Sequence, residues 1–138
     1  MNPNYTSIKQ VKSLVKLGLD PNTADMRYVY DSSIVDYDPI PRIGGQQPEE
    51  QLTIPCWSFG RLLEIMPKYM KSGDEYFELT VIPFFPTVKY FNEDAKTYME
   101  SRSGFDIMEA AVKMAERLLI CKSTYLKDNS NKMLGELK

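Results

Sequence analysis

The sequence predicts an α+β domain in which three helices pack on a small antiparallel sheet. Three observations carry this prediction. Apolar residues recur at helical spacing near both ends of the chain, at 8–15 and 107–121, and again at 59–66. Between residues 76 and 101 the pattern changes to alternation broken by turn residues. The resulting order, α-β-α-β-β-(β)-α, groups consecutive strands together, which indicates an antiparallel sheet with helices on one face.

The first helix is expected over 6–17. Ile8, Val11, Leu14 and Val15 lie on one side, and Lys9, Lys12 and Lys16 on the other. Gly18 supplies the residue that tolerates a left-handed stop, Leu19 can fold back as its apolar partner, and Asp20-Pro21-Asn22 completes the break. Met26 to Tyr30 is a short strand candidate. Residues 31–51 carry acids, prolines and Gly44-Gly45 with little pattern and read as a long, flexible loop.

Leu52 to Ile54 is a brief extended lead-in to the second helix. Ser58 is its natural N-cap, because a hydroxyl there can accept from an otherwise unpaired amide. Phe59, Leu62, Leu63 and Met66 form its apolar stripe, and Pro67 ends it. Gly73-Asp74 is a turn. Strands follow at 76–82, 87–91 and 96–101, with Pro83 and Pro86 bracketing Phe84-Phe85 in a wide apolar connection.

In the first of these strands Phe77, Leu79 and Val81 point one way, and Tyr76, Glu78, Thr80 and Ile82 the other. The last helix spans 106–121. Asp106 and Glu109 have capping-box spacing, and Ile107, Ala110, Ala111, Met114, Leu118 and Cys121 form its buried stripe. A single domain at 1–121 is thus expected, followed by a polar, mobile tail at 122–138.

Composition narrows the function classes. At 138 residues the chain is long enough to bury a core without a disulfide or metal. Its formal charge of −2 gives no overall field that would draw it to DNA or an anionic membrane. The bias is local: residues 1–19 are basic, with Lys9, Lys12 and Lys16 and no acid, and residues 20–50 are acidic. Cys56 and Cys121 form no close pair, and neither a leader nor a membrane-spanning run is recognisable. The expectation is a cytoplasmic protein that does not associate with membranes.

There is no histidine. That removes the commonest general base and every Ser-His or Cys-His nucleophile pair. Cys56, just before a helix start, is the sharpest catalytic candidate, with a buried apolar role as its alternative. Trp57 is a candidate contact residue, or else a core residue. The stretch from Asp20 to Asp31 only superficially matches a calcium loop, since Asp25 and Asp31 stand where Gly and Glu are required. Gly44-Gly45 is not followed by the Lys-Ser or Lys-Thr of a phosphate loop. No metal and no cofactor are expected.

Tyr76, Lys89, Lys96 and Tyr98 can form an aromatic and basic sheet face suited to single-stranded nucleic acid. Glu78 and Glu100 are expected on that same face, where they would repel phosphates.

Three segments resemble a group of small uncharacterised proteins encoded by gut anaerobic bacteria, their prophages and mobile elements. They are Lys16-Leu-Gly-Leu-Asp-Pro-Asn-Thr-Ala-Asp-Met26, Pro55-Cys-Trp-Ser-Phe-Gly-Arg-Leu-Leu-Glu-Ile-Met-Pro67 and Phe105-Asp-Ile-Met-Glu-Ala-Ala111 with its continuation to Leu119. The resemblance implies a bacterial or phage cytoplasmic setting and supplies no reaction. The leading expectation is a non-catalytic accessory protein that binds another protein, or a second copy of itself as a homodimer across the sheet edges. Nucleic-acid binding on the Tyr76, Lys89, Lys96, Tyr98 face is the first alternative, and a thiol enzyme using Cys56 the second.

Overall fold

Helix α1 (Ile8–Lys16) starts with a complete capping box. Ser7 Oγ accepts from the Gln10 amide at 3.2 Å, and Gln10 Oε1 accepts from the Ser7 amide at 2.8 Å, so two otherwise orphaned donors are paired. The helix ends at Gly18, whose φ of 112° suits a residue without Cβ. Gly18 N donates to Val15 O and Leu19 N to Leu14 O, both at 3.0 Å, which is the paired pattern of a Schellman stop. Leu19 is buried, as its position predicts. These and the following contacts come from a computed structural model that describes residues 4–29, 40–43, 53–126 and 132–134.

The molecule is α+β, with the strands divided between two antiparallel sheets rather than gathered in one. In the smaller sheet, β1 (Met26–Val29) pairs on one side with β2 (Ile40–Ile43) and on the other with β3 (Thr53–Cys56). β2 lies inside the stretch expected to be loop; the rest of 31–51 lies outside the described residues. The larger sheet is a meander of β4 (Tyr69–Ser72), β5 (Glu75–Ile82), β6 (Thr87–Asn92) and β7 (Thr97–Ser103). In chain order, between the strands of the two sheets, comes α2 (Phe59–Ile65), capped by Ser58 Oγ, which accepts from the Arg61 amide at 3.2 Å.

Helix α3 (Ile107–Ile120) is the centre of the packing. It lies against β6 and β7 on one side and against α1 and α2 on the other. Eight of its fourteen residues are buried, including Ala110, Ala111, Met114, Ala115 and Leu118. Contact on both sides requires more than a single stripe, which is why Val112 and Leu119 are buried as well. The small side chains of Ala110, Ala111 and Ala115 let neighbouring elements approach closely. Two polar clasps fix the helix: Ser13 Oγ donates to Glu116 Oε2 from α1, and Arg117 Nε donates to Glu100 Oε2 of β7 at 3.1 Å. At its start Asp106 Oδ1 accepts from the Glu109 amide at 2.8 Å. The reciprocal bond of the expected capping box is displaced, since Glu109 Oε2 accepts from Phe105 N at 3.4 Å.

The segment beyond 121 is not wholly polar and detached. Lys122–Tyr125 forms a further helical turn, α4, after which Leu126 enters the core. Met133, in a 3₁₀ turn at Lys132–Leu134, is buried too, and its carbonyl accepts from Asp20 N at 2.8 Å. Hydrophobic burial of these two side chains outweighs the polar composition around them. Residues 127–131 and 135–138 lie outside the described residues. No helix among the described residues is long and apolar enough to cross a membrane.

Candidate binding surface on the four-stranded sheet

Directly paired residues of a ladder share a face, so the strand register assigns each side chain of the larger sheet. Met70 with Phe77, Leu79 with Tyr90, and Val81 with Val88 face α3. The opposite face carries Tyr69, Glu78, Phe91 and Tyr98 in one row, with Lys71 beside Tyr76 and Thr80 beside Lys89. Among the described residues no element covers this outer face, and its three tyrosines are 56%, 58% and 64% exposed at Tyr69, Tyr76 and Tyr98.

Register decides two departures from the sequence expectation. Tyr90 pairs with Glu100 but Phe91 pairs with Tyr98, so β7 carries one extra residue, Met99, at a bulge. Tyr98 therefore points outward, whereas Glu100 turns inward. Simple alternation puts the two on one face; the bulge separates them. Lys96 is likewise not in a strand. It sits in the β6–β7 turn at a φ of 56°, and its ammonium bonds Glu93 Oε1 at 2.7 Å. Of the expected site residues, Tyr76, Lys89 and Tyr98 share the outer face, and Lys96 stands at its rim already paired.

Glu100, only 8% exposed, is held by cations and a phenol. Arg102 approaches Oε1 at 3.1 Å, Arg117 Nε donates to Oε2 at 3.1 Å, and Tyr125 Oη donates to the same oxygen. Burial pulls the carboxyl pKa up, but these hydrogen bonds and charges outweigh it and hold the group below the usual carboxylate range. Burial and the same bond raise the pKa of Tyr125.

The outer face is more acidic than its lysines suggest. Beside Tyr69, Tyr76 and Phe91 lies an open hollow of about 480 Å³, lined also by Asp74, Glu75, Glu78, Glu93 and Asp94. Only Glu93 has an ion-pair partner among the described residues, and its hydrogen bond with Lys96 holds its carboxyl below the ordinary range. Two lysines already use rings of this face. Lys71 Nζ lies 5.5 Å from the centroid of Tyr76, and Lys89 Nζ lies 4.2 Å from that of Phe91, both cation–π distances.

Cys56 and Trp57 are elsewhere, and both are completely buried. Trp57 Nε1 donates to Thr23 Oγ1 at 3.0 Å, and its backbone amide donates to Thr6 Oγ1 at 3.0 Å. Thr6, itself buried, also receives the Tyr28 hydroxyl on its carbonyl at 2.6 Å, and the Cys56 thiol donates to that carbonyl at 3.5 Å. Desolvation pushes the Cys56 thiol pKa up despite hydrogen bonds that oppose the rise. That is the reverse of an activated nucleophile. Trp57 is thus a core residue and no part of a surface. Nearby, Asp25 accepts from Ser58 N at 2.9 Å and from Ser58 Oγ at 2.5 Å, fixing the turn into α2.

Sequence reasoning missed Tyr69 and Phe91 as surface residues. Tyr69 lies two residues after the helix stop at Pro67, in a four-residue strand whose pattern is too short to read. Phe91 is legible in the sequence, since it alternates with Lys89, which is expected on the outer face. Phe84, Phe85 and Phe105 are also exposed, at one end of the sheet where Gly104 N donates to Pro86 O at 3.1 Å. No group of His, Cys, Asp and Glu residues among the described residues is arranged to hold a metal ion. No protein-family model, curated protein or solved structure matches this chain.

Proposed function

We propose that this protein is a non-catalytic binding protein of a bacterial or phage genome, and that it recognises a protein partner on the outer face of β4–β7. One observation carries the reading: α3 packs one side of the sheet, while the other presents Tyr69, Tyr76 and Tyr98, each more than half exposed. Tyrosine offers large contact area with few rotatable bonds and a polar tip, which is why it is enriched at protein interfaces. The burial of Cys56, which pushes its thiol pKa up, supports the non-catalytic part, because the sharpest nucleophile candidate has neither access nor activation.

Single-stranded nucleic acid is the second reading, drawing on the same rings with Lys71 and Lys89. The carboxylates around the hollow weigh against it, since phosphates approaching Tyr76 meet Asp74, Glu75 and Glu78. The readings separate in a gel shift with single-stranded oligonucleotides, for which the protein-binding reading expects no salt-sensitive complex.

The direct test places a photo-crosslinking amino acid at position 76 or 98, and at Lys9 on α1 as a control, in the native host. Discrete adducts to one protein from the sheet positions alone are expected. Adducts from none of the positions, or equally from position 9, would overturn the assignment of the face.

A further inference from the structure

We infer that the hollow beside Tyr69 and Tyr76 receives a cationic side chain from a basic, extended segment of the partner protein. The inference rests on the outer face being the contact surface, and it adds the chemistry of what sits there. Three observations lead to it. First, the unpartnered face is aromatic at its centre: Tyr69, Tyr76 and Phe91 line a concavity whose volume of about 480 Å³ lies within the range typical of ligand sites. Second, rings of this face already hold ammonium groups, with Lys89 Nζ 4.2 Å from the Phe91 centroid and Lys71 Nζ 5.5 Å from that of Tyr76. Third, Asp74, Glu75, Glu78 and Asp94 border the concavity with no ion-pair partner among the described residues.

An aromatic floor with an anionic rim is selective for charge. A guanidinium or ammonium gains from the negative ring faces and from the carboxylates together, whereas a phosphate or carboxylate meets repulsion from both. An extended segment is favoured because β4 is the outermost strand of the sheet, with no neighbour beyond it among the described residues. A peptide laid along β4 pairs with its free backbone groups and delivers alternate side chains to the Tyr69–Tyr76 side. Arg is the better occupant than Lys, since its planar guanidinium both stacks on tyrosine and bonds a carboxylate bidentately.

The probe is an acetylated hexa-arginine peptide titrated into the full-length protein, with amide chemical shifts recorded by NMR. A hexa-glutamate peptide and an oligo-thymidylate serve as comparators. The expected result is a saturable shift centred on Tyr69, Tyr76, Glu78 and Phe91, weakened about tenfold by Tyr76→Ala or by Glu78→Gln. Both residues are exposed, so the variants keep the fold, and an unchanged spectrum away from the site verifies this. Shifts centred elsewhere, or insensitivity to both substitutions, overturn the inference. So does tighter binding of oligo-thymidylate at this face, which would favour nucleic acid. Concentration-dependent self-association with crosslinks from position 76 to Lys9, Lys12 or Lys16 of a second copy also overturns it, since the occupant is then a helix of this same chain. If hexa-arginine fails while position 76 still crosslinks to another protein, the contact face stands and only the cationic assignment falls.

Discussion

At the scale of single residues, Thr6 is the most connected polar group in the core. Its hydroxyl and carbonyl serve Trp57 N, Cys56 Sγ and the Tyr28 hydroxyl. Replacing it with Val keeps the volume but leaves the Trp57 amide without a partner, at a cost of about 1–3 kcal/mol. Urea denaturation checks this, with Thr80→Val on the outer face expected to change stability by less than about 0.5 kcal/mol. The two cysteines give a second residue-level prediction. In native protein a thiol reagent is expected to modify the half-buried Cys121 first and to reach Cys56 only at the rate of unfolding. Rapid native-state labelling of Cys56 would contradict its place in the core.

Legibility at this scale followed sequence distance. The Ser58 cap and the Gly18 stop are readable because their partners lie within five residues. Thr6 was not, because Trp57 is 51 positions away and no local pattern encodes that meeting. Trp57 itself was recognisable only as one of two things, a contact or a core residue, and Thr23 Oγ1 decided it.

At the scale of elements, the bulge in β7 has the largest consequence. It turns Glu100 inward, where Arg117 and Tyr125 bind β7 to α3 and α4 while Arg102 adds a second cation from β7 itself. The sign of the pH effect follows from the direction of each shift. Glu100 is held below its unfolded value of about 4.3, so its contribution is present above that pH and is lost as pH falls through the lowered folded value. Glu100→Gln is expected to cost about 1–3 kcal/mol at neutral pH and to flatten the loss of stability below about pH 4. The tyrosines act at the other limit. Burial raises Tyr28 and Tyr90, and burial with the Glu100 bond raises Tyr125, so their contribution holds below about pH 10 and declines above it. Thermal melts across pH check both limbs, and a Glu100→Gln variant with the same acid slope as the parent would refute the first. At the start of α3, Gly104→Ala is also expected to destabilise, because an added Cβ would lie 2.8 Å from Glu109 Cβ and 2.9 Å from Ala110 N.

Apart from the four-residue β1, expected from Met26 and Tyr28 on one side, the elements that sequence reading recovers most plainly are those with enough residues to show a period. α1, α3, β5 and β6 each span six or more residues and show their helical or alternating pattern plainly. β2 and β4 have four residues each, and β2 contains Pro41. Their pairing is supplied by β1 and β5 rather than by local propensity. A bulge leaves no mark in composition, so the alternation that puts Tyr98 on the outer face puts Glu100, two residues on, there as well, whereas the register turns Glu100 inward.

At the scale of the whole molecule, the described residues build one apolar cluster from α1, α2, α3, the inner face of β4–β7, Leu126 and Met133. Every large component of that cluster meets α3 or its neighbours, so the outer face contributes little to holding the fold together. Tyr69→Ser with Tyr98→Ser is accordingly expected to shift stability by less than about 1 kcal/mol in total. A face that carries little of the packing tolerates such changes in stability terms, whereas a core residue such as Trp57 is expected to cost about 3–5 kcal/mol when cut to Ala.

The most direct measurement of the central claim joins these two expectations. A photo-crosslinker at position 76 is introduced into the parent and into the Tyr69→Ser/Tyr98→Ser protein, and adduct yield in the native host is compared after matching expression and melting temperature. A binding face on β4–β7 predicts a strong, discrete adduct in the parent and its loss in the variant, with both proteins folded alike. An equal adduct in both proteins, or a variant that unfolds, would contradict the division between a packed inner face and a recognising outer one.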